Sequence, residues 1–164
     1  MNEKKIQESR IYIHYGAKQY DLSKVKPIRN KPLFTKPDGG FWGCPLGSGF
    51  GWKEWCMREN FHLDQYSDDN SFQFTLSKNA NIIHLNSVDD LNNLPQLNSH
   101  IPIPWILLDF EKLLSDGIDA IQLNMSNEHS STNSEKLYDS LYFALYGWDC
   151  DSVLVMNKEK IEIL

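Results

Sequence analysis

The order of apolar and polar positions cuts this chain into short strands separated by shorter helices. Ile11-Tyr12-Ile13-His14-Tyr15 alternates β-branched and aromatic residues and stops at Gly16, the pattern of a strand. Residues 27–38 hold three prolines and read as a long loop, which delivers the chain to Gly39-Gly40-Phe41-Trp42-Gly43-Cys44-Pro45. That segment predicts a second short strand, with Phe41 and Trp42 facing opposite sides. Between 51 and 61, Trp52, Trp55, Cys56 and Met57 recur at three- and four-residue steps, predicting an amphipathic helix after the Gly47-Ser48-Gly49 loop. Its charged face is Lys53, Glu54, Arg58 and Glu59.

Farther on, Phe72, Phe74 and Leu76 share one face of a strand over 71–76, and a second strand over 80–85 follows a Ser77-Lys78-Asn79 turn, so the pair predicts a hairpin. Ser87 with Asp89 and Asp90 reads as the cap and acidic first turn of a short helix that Pro95 stops. Residues 109–115 predict a helix ended by Gly117, and 118–123 a buried strand. Residues 124–134 are polar and read as a surface loop. Leu137, Leu141 and Leu145, with Tyr138 and Tyr142, predict a last helix that runs into Gly147. Strands over 152–156 and 160–163 close the chain. Many short strands with interspersed helices favour an α+β fold, built on an antiparallel or mixed sheet, over a doubly wound parallel one.

At 164 residues and 41% hydrophobic, the chain can bury one core, so 1–164 is read as a single domain with the charged residues 1–10 as a flexible N-terminal segment. Sixteen Lys and Arg against twenty-two Asp and Glu give a net charge of −6, which leaves no overall field to draw the molecule onto nucleic acid or an anionic membrane. A local basic strip, Lys24, Lys26, Arg29, Lys31 and Lys36, reads as a solvated loop or as a guide for an anionic ligand or nucleic acid. Cys44, Cys56 and Cys150 are odd in number and unpaired in spacing, and no leader precedes them; a reducing, cytoplasmic compartment is expected. The five histidines, His14, His62, His84, His100 and His129, do not join the cysteines at zinc-ligand spacing. No apolar run is long enough to span a bilayer, so no membrane partner is expected.

Three segments carry candidate chemistry. His14-Tyr15-Gly16 ends a strand, where an imidazole can hydrogen-bond a ribose hydroxyl and the glycine lets a ligand approach the backbone. Trp42, Cys44 and Trp52 belong to a Gly- and aromatic-rich stretch that can hold a planar ring such as nicotinamide or adenine, or can simply be core. It is not a phosphate-binding P-loop, since no Gly-Lys-Ser/Thr follows, and nothing nearby in the sequence lowers the Cys44 pKa enough to make it a nucleophile. In Trp148-Asp149-Cys150-Asp151-Ser152, two carboxylates at i and i+2 would point to the same side of an extended strand and serve one ligand; the bland alternative is a solvated turn, and calcium is a weaker one because the rest of an EF-hand loop is missing.

Taken together these segments resemble the spaced motifs of the ADP-ribosyltransferase superfamily, in small phage and bacterial form. The closing run from Asp151 through Ile161 resembles an acid followed by an apolar strand and an Asn turn, and Gly117-Ile118-Asp119-Ala120-Ile121 resembles the strand before it. The resemblance implies a split antiparallel or mixed sheet with short flanking helices and NAD as co-substrate. It puts the family's acid on Asp151, which would bind the nicotinamide ribose and steady its charge, with Asp149 as the second catalytic carboxylate, and it gives His14, Tyr15, Gly16, Trp42, Cys44 and Trp52 to NAD binding. Cleavage of the nicotinamide–ribose bond is the implied reaction, with a protein, a nucleic-acid base or water as acceptor, in a toxin, a defence effector or a phage modifier of host proteins. The chain departs from the family pattern in carrying Asp where Glu is commoner, Cys44 where Ser or Thr is usual, and Gln122 as a further polar group nearby; these leave room for an inactive, ligand-binding relative. Two rivals remain: a non-catalytic protein-binding or inhibitor module using the aromatic cluster and acidic surface, and a hydrolase using Asp149 and Asp151 with a metal.

Overall fold

The computed structural model describes residues 10–61, 66–126 and 140–164. Its strands are β1 (Tyr12–Tyr15), β2 (Phe41–Pro45), β3 (Ser71–Leu76), β4 (Ile82–Leu85), β5 (Ala120–Leu123), β6 (Ser152–Val155) and β7 (Ile161–Ile163). They form one seven-stranded mixed sheet in the order β4-β5-β6-β2-β1-β3-β7. Three helices accompany them among the described residues: α1 (Trp52–Glu59), α2 (Phe110–Ser115) and α3 (Leu141–Ala144). The fold is therefore α+β, and each strand expected from alternation exists within a residue or two of its expected limits.

Local chemistry accounts for where the elements start and stop. The Glu54 carboxylate accepts from Gly51 N at 3.1 Å to open α1, and Asn60 in the left-handed region at φ 52 closes it. Asp109 caps α2 by accepting from Lys112 N at 3.0 Å. The Ser87 segment is capped as expected, with Asp90 accepting from Ser87 N at 3.0 Å, but it forms a single 3-10 stretch, Val88–Leu91. Leu137 and Tyr138, like most of the expected 124–134 loop and the N-terminal segment up to residue 9, lie outside the described residues.

Two apolar layers cover the sheet. Leu85, Ile121, Leu123 and Leu154 point to one face and meet Phe110, Leu113, Leu141, Leu145 and Trp148; Tyr12, Phe41, Phe74, Val153 and Val155 occupy the other with Val25. Because both faces are covered, β5 and β6 are buried at every position and read as continuous runs instead of alternating ones. The one polar side chain in the middle of β5, Gln122, is fully buried and satisfied: Tyr12 donates its hydroxyl to Gln122 Oε1 at 2.8 Å, and Gln122 Nε2 donates to Asn124 at 2.8 Å. Gly43 is required by close approach. A Cβ there would sit 2.7 Å from the Phe74 ring, which lies across β2.

The expected hairpin is not formed. β3 pairs with β1 and β7, while β4 runs parallel to β5 at the far edge. A turn signal at Ser77-Lys78-Asn79 ends a strand correctly but does not decide which strand comes next in the sheet. At the start of β4, Asp119 accepts from Asn81 N at 2.8 Å and from Asn157 Nδ2 at 2.7 Å, tying the starts of β4 and β5 to the end of β6. The sheet is thinnest between β1 and β2, whose ladder is two residue pairs long, Tyr12↔Pro45 and Ile13↔Cys44.

Candidate functional site

Beyond that short ladder β1 and β2 part, and a cavity of about 340 Å³ lies against the gap. Its walls are Ile13, His14 and Tyr15 from β1, Trp42, Gly43 and Cys44 from β2, Trp52 from α1, Lys36 from the preceding loop, and Trp148, Asp149, Cys150 and Ser152 from the approach to β6. Of the eight residues singled out from sequence, six line it: His14, Tyr15, Trp42, Cys44, Trp52 and Asp149.

His14 is fixed by its surroundings. Its ring stacks on Phe41 at 4.6 Å and meets Phe72 at 5.2 Å, and Nδ1 lies 2.7 Å from the Trp42 carbonyl oxygen. A carbonyl can only accept, so Nδ1 carries the hydrogen and, in the neutral ring, Nε2 is the acceptor. Burial lowers the His14 pKa, opposed by the bond to Trp42, and so favours that neutral form. Tyr15 is driven the other way: burial, then Cys44, Asp68 and Glu54, push it up to about 12, which keeps the phenol protonated and a donor.

The aromatic wall is ordered by one long-range bond. Trp148 is 1% exposed and donates Nε1–H to the Thr35 carbonyl at 3.2 Å; its ring then meets Trp42 edge-on at 4.8 Å. Lys36 carries its ammonium 5.6 Å from the Trp42 ring centre. On the α1 side, Trp52 stacks on Trp55 at 5.0 Å and 14°, and Phe61 packs edge-on to both. Cys44 and Cys150 are buried wall residues whose thiolates are disfavoured: burial pushes Cys44 up to about 11 and raises Cys150 as well.

The two acids separate. Asp149 is half-buried on the cavity wall, whereas Asp151 is 4% exposed and is not among the lining residues. Asp151 Oδ2 accepts from Ser48 Oγ and from Ser126 Oγ, each at 2.9 Å, and Oδ1 accepts from Ser126 N at 2.9 Å. Its own N–H goes to the Phe50 carbonyl at 2.9 Å. The expectation that both carboxylates share one side of a strand fails because residues 149–151 precede β6 and bend. Period-two alternation applies only to extended backbone.

Gly16 is also displaced from its expected part. Its φ is 103 and its N–H donates to the Asn70 carbonyl at 2.9 Å, so it ends β1; a Cβ there would meet nothing within 4 Å, and the residue does not line the cavity. Sequence reasoning missed Lys36 and Trp148 as walls, and Ser48 and Ser126 as partners of Asp151. Lys36 was visible only as one member of the basic strip. Two other members are engaged at the surface, Arg29 with Glu111 at 3.0 Å and Lys24 with Asp21 at 3.6 Å. Among the described residues no group of three or more His, Cys, Asp or Glu is placed to hold a metal, and no helix is long and apolar enough to cross a membrane. No protein-family model, curated protein or solved structure matches the chain.

Proposed function

We propose that the chain is an ADP-ribosyltransferase of the superfamily its motifs resemble, taking NAD as co-substrate in the cavity beside β1 and β2. The observation that supports this most is the convergence of an imidazole, indole rings, a cation and a single half-buried carboxylate on one cavity, from segments far apart in sequence. About 340 Å³ lies within the usual range of small-molecule sites and suits the nicotinamide riboside half of the dinucleotide.

In this reading the Trp42, Trp52 and Trp148 rings hold the nicotinamide, and neutral His14 accepts from a ribose hydroxyl at Nε2. Asp149 is the acid that faces the reacting sugar. As the C1′–N bond breaks, its electron pair leaves with neutral nicotinamide and positive charge grows on the ribose; a fixed carboxylate in a partly dry site stabilises that charge. The acceptor lone pair then closes the new bond to C1′ and its proton passes to water. Asp151 acts through structure: it joins Ser48 and Ser126 beneath the acid, at the start of β6.

The test is nicotinamide release from NAD labelled in the adenine, with Asp149→Asn and Asp151→Asn side by side. Loss of release in Asp149→Asn with unchanged unfolding temperature is the expected result. Equal release by wild type and Asp149→Asn would overturn the assignment of the acid, and no release with protein, nucleic-acid or water acceptors would overturn the enzyme.

A further inference from the structure

Next to the cavity rim the chain makes a turn whose residues contradict its geometry. Phe34 N donates to the Lys31 carbonyl at 3.2 Å, Pro32 occupies the second position and Leu33 the third, with φ 67. This is the arrangement of a type II turn, in which the third position calls for glycine. Leucine there is strained, and it does not compensate by burial: Leu33 is 43% exposed and Phe34 56%. A large apolar side chain held in an unfavourable backbone state and left in water serves something other than folding.

The turn is mounted rigidly. Thr35 is 5% exposed, donates its hydroxyl to the Tyr146 carbonyl, and accepts from Trp148 Nε1 at 3.2 Å. Across this joint lies Tyr146, 63% exposed and stacked on Trp105 at 5.8 Å. Two cations flank the apolar groups: Lys31 lies 4.2 Å from the Phe34 ring centre and Lys36 lies over Trp42 at the cavity, and neither has a carboxylate within ion-pair distance among the described residues. Of the nearby carboxylates, Glu111 accepts from Arg29 and from Asn30 N, and Asp109 from Asn30 Nδ2 and Lys112 N, while Asp149 shares the cavity wall with Lys36.

We propose that Leu33, Phe34 and Tyr146, with Lys31 and Lys36, form the docking surface for the acceptor, and that the acceptor is a protein segment combining acidic and large apolar side chains. The proposal rests on the transferase reading for the word acceptor, but the surface itself does not. Charge complementarity selects the acidic partner, since two ammonium groups without an ion pair among the described residues border the patch in a chain of net charge −6. The exposed leucine and aromatic rings select a protein over nucleic acid, whose binding needs a broad positive field that this chain lacks. Continuity with the cavity through Lys36 and Trp148 puts a docked segment beside Asp149.

The experiment is fluorescence anisotropy with the full chain and a short labelled peptide that alternates Glu with Leu and Phe, without NAD. The comparison probes are the same peptide with Lys for Glu, and oligothymidylate of similar length. The acidic peptide is expected to bind about tenfold or more tightly than its basic counterpart, and Phe34→Ser and Lys31→Glu are each expected to weaken it by about tenfold. The far-ultraviolet circular dichroism and melting temperature of both variants should match wild type, which guards against misfolding. No binding of the acidic peptide, equal binding of both peptides, tighter binding of the oligonucleotide, or unchanged affinity in both variants would each overturn the proposal. Failure of nicotinamide release, with peptide binding intact, would instead remove the transferase reading and leave the surface.

Discussion

Ser48 and Asp151, separated by 103 positions in sequence, meet at 2.9 Å through a hydroxyl and a carboxylate that is almost wholly buried. The same Ser48 oxygen accepts from Phe50 N at 2.9 Å, so one side chain both shapes the loop before α1 and ties it to the start of β6. Ser126, beyond β5, completes the joint. Replacing Asp151 with Ala leaves these donors without their acceptor, and a buried network broken in this way costs about 2–4 kcal/mol. The expected result is a fall in melting temperature of several degrees, measured by circular dichroism, with Ser48→Ala giving a smaller fall. Asp149→Asn should leave the melting temperature within a degree or so of wild type, since the residue is half-buried on the cavity wall.

Acid should weaken the fold through His14. Its folded pKa lies below the ordinary value of 6.5, so above 6.5 both states are neutral and the contribution is complete. As pH falls from 6.5 toward the folded pKa, the unfolded chain takes up a proton that the native ring resists, and stability is lost over that window. His84, also lowered by burial, adds in the same direction. Urea midpoints measured between pH 7.5 and 5 should decline, and His14→Gln should flatten the decline; a wild-type profile unchanged over that range would contradict the burial argument.

The cavity thiol is expected to be slow. With Cys44 pushed up to about 11, the thiolate fraction at pH 8 is about a hundredfold below that of an ordinary cysteine. Native protein mixed with a disulfide reagent should therefore label Cys44 at least about a hundredfold more slowly than denatured protein. Cys44→Ser, which removes the thiol altogether, should retain nicotinamide release.

Leu33→Gly should stabilise the free protein. Relief of the left-handed leucine is worth about 1–3 kcal/mol, less about 0.4–1 kcal/mol for the extra freedom glycine gives the unfolded chain. A rise in melting temperature of about 2–4 °C is expected for a chain of this size. The same substitution should weaken the acidic peptide, so stability and docking move in opposite directions.

Much of this molecule is legible from local pattern, because alternation and capping are local. The stop of β1 at Gly16 and the start of α2 at Asp109, whose carboxylate accepts from Lys112 N three residues on, fall where the sequence pattern changes. Strand neighbours are a different matter. β4 lies beside β5, where Asp119 joins Asn81 to Asn157, and neither partner can be inferred from the turn at 77–79. The site shows the same division. His14, Trp42 and Trp52 could be singled out by residue type and context, and the cavity collects them. Asp149 and Asp151 could not be separated, because one bend before β6 turns two equivalent carboxylates into a wall group and a buried tie. Lys36 was hidden among basic neighbours, and its position over Trp42 depends on Thr35 meeting Tyr146 and Trp148.

The two-pair ladder between β1 and β2 is the shortest in the sheet. On one side β5 is gripped by four pairs on each edge; on the other β1 and β3 share four. A seam with few paired residues is expected to open before better-paired ones, so amide exchange should be faster along β2 than along β5. The cavity lies along this seam, so any such opening would change its width before it disturbed the strands on either side.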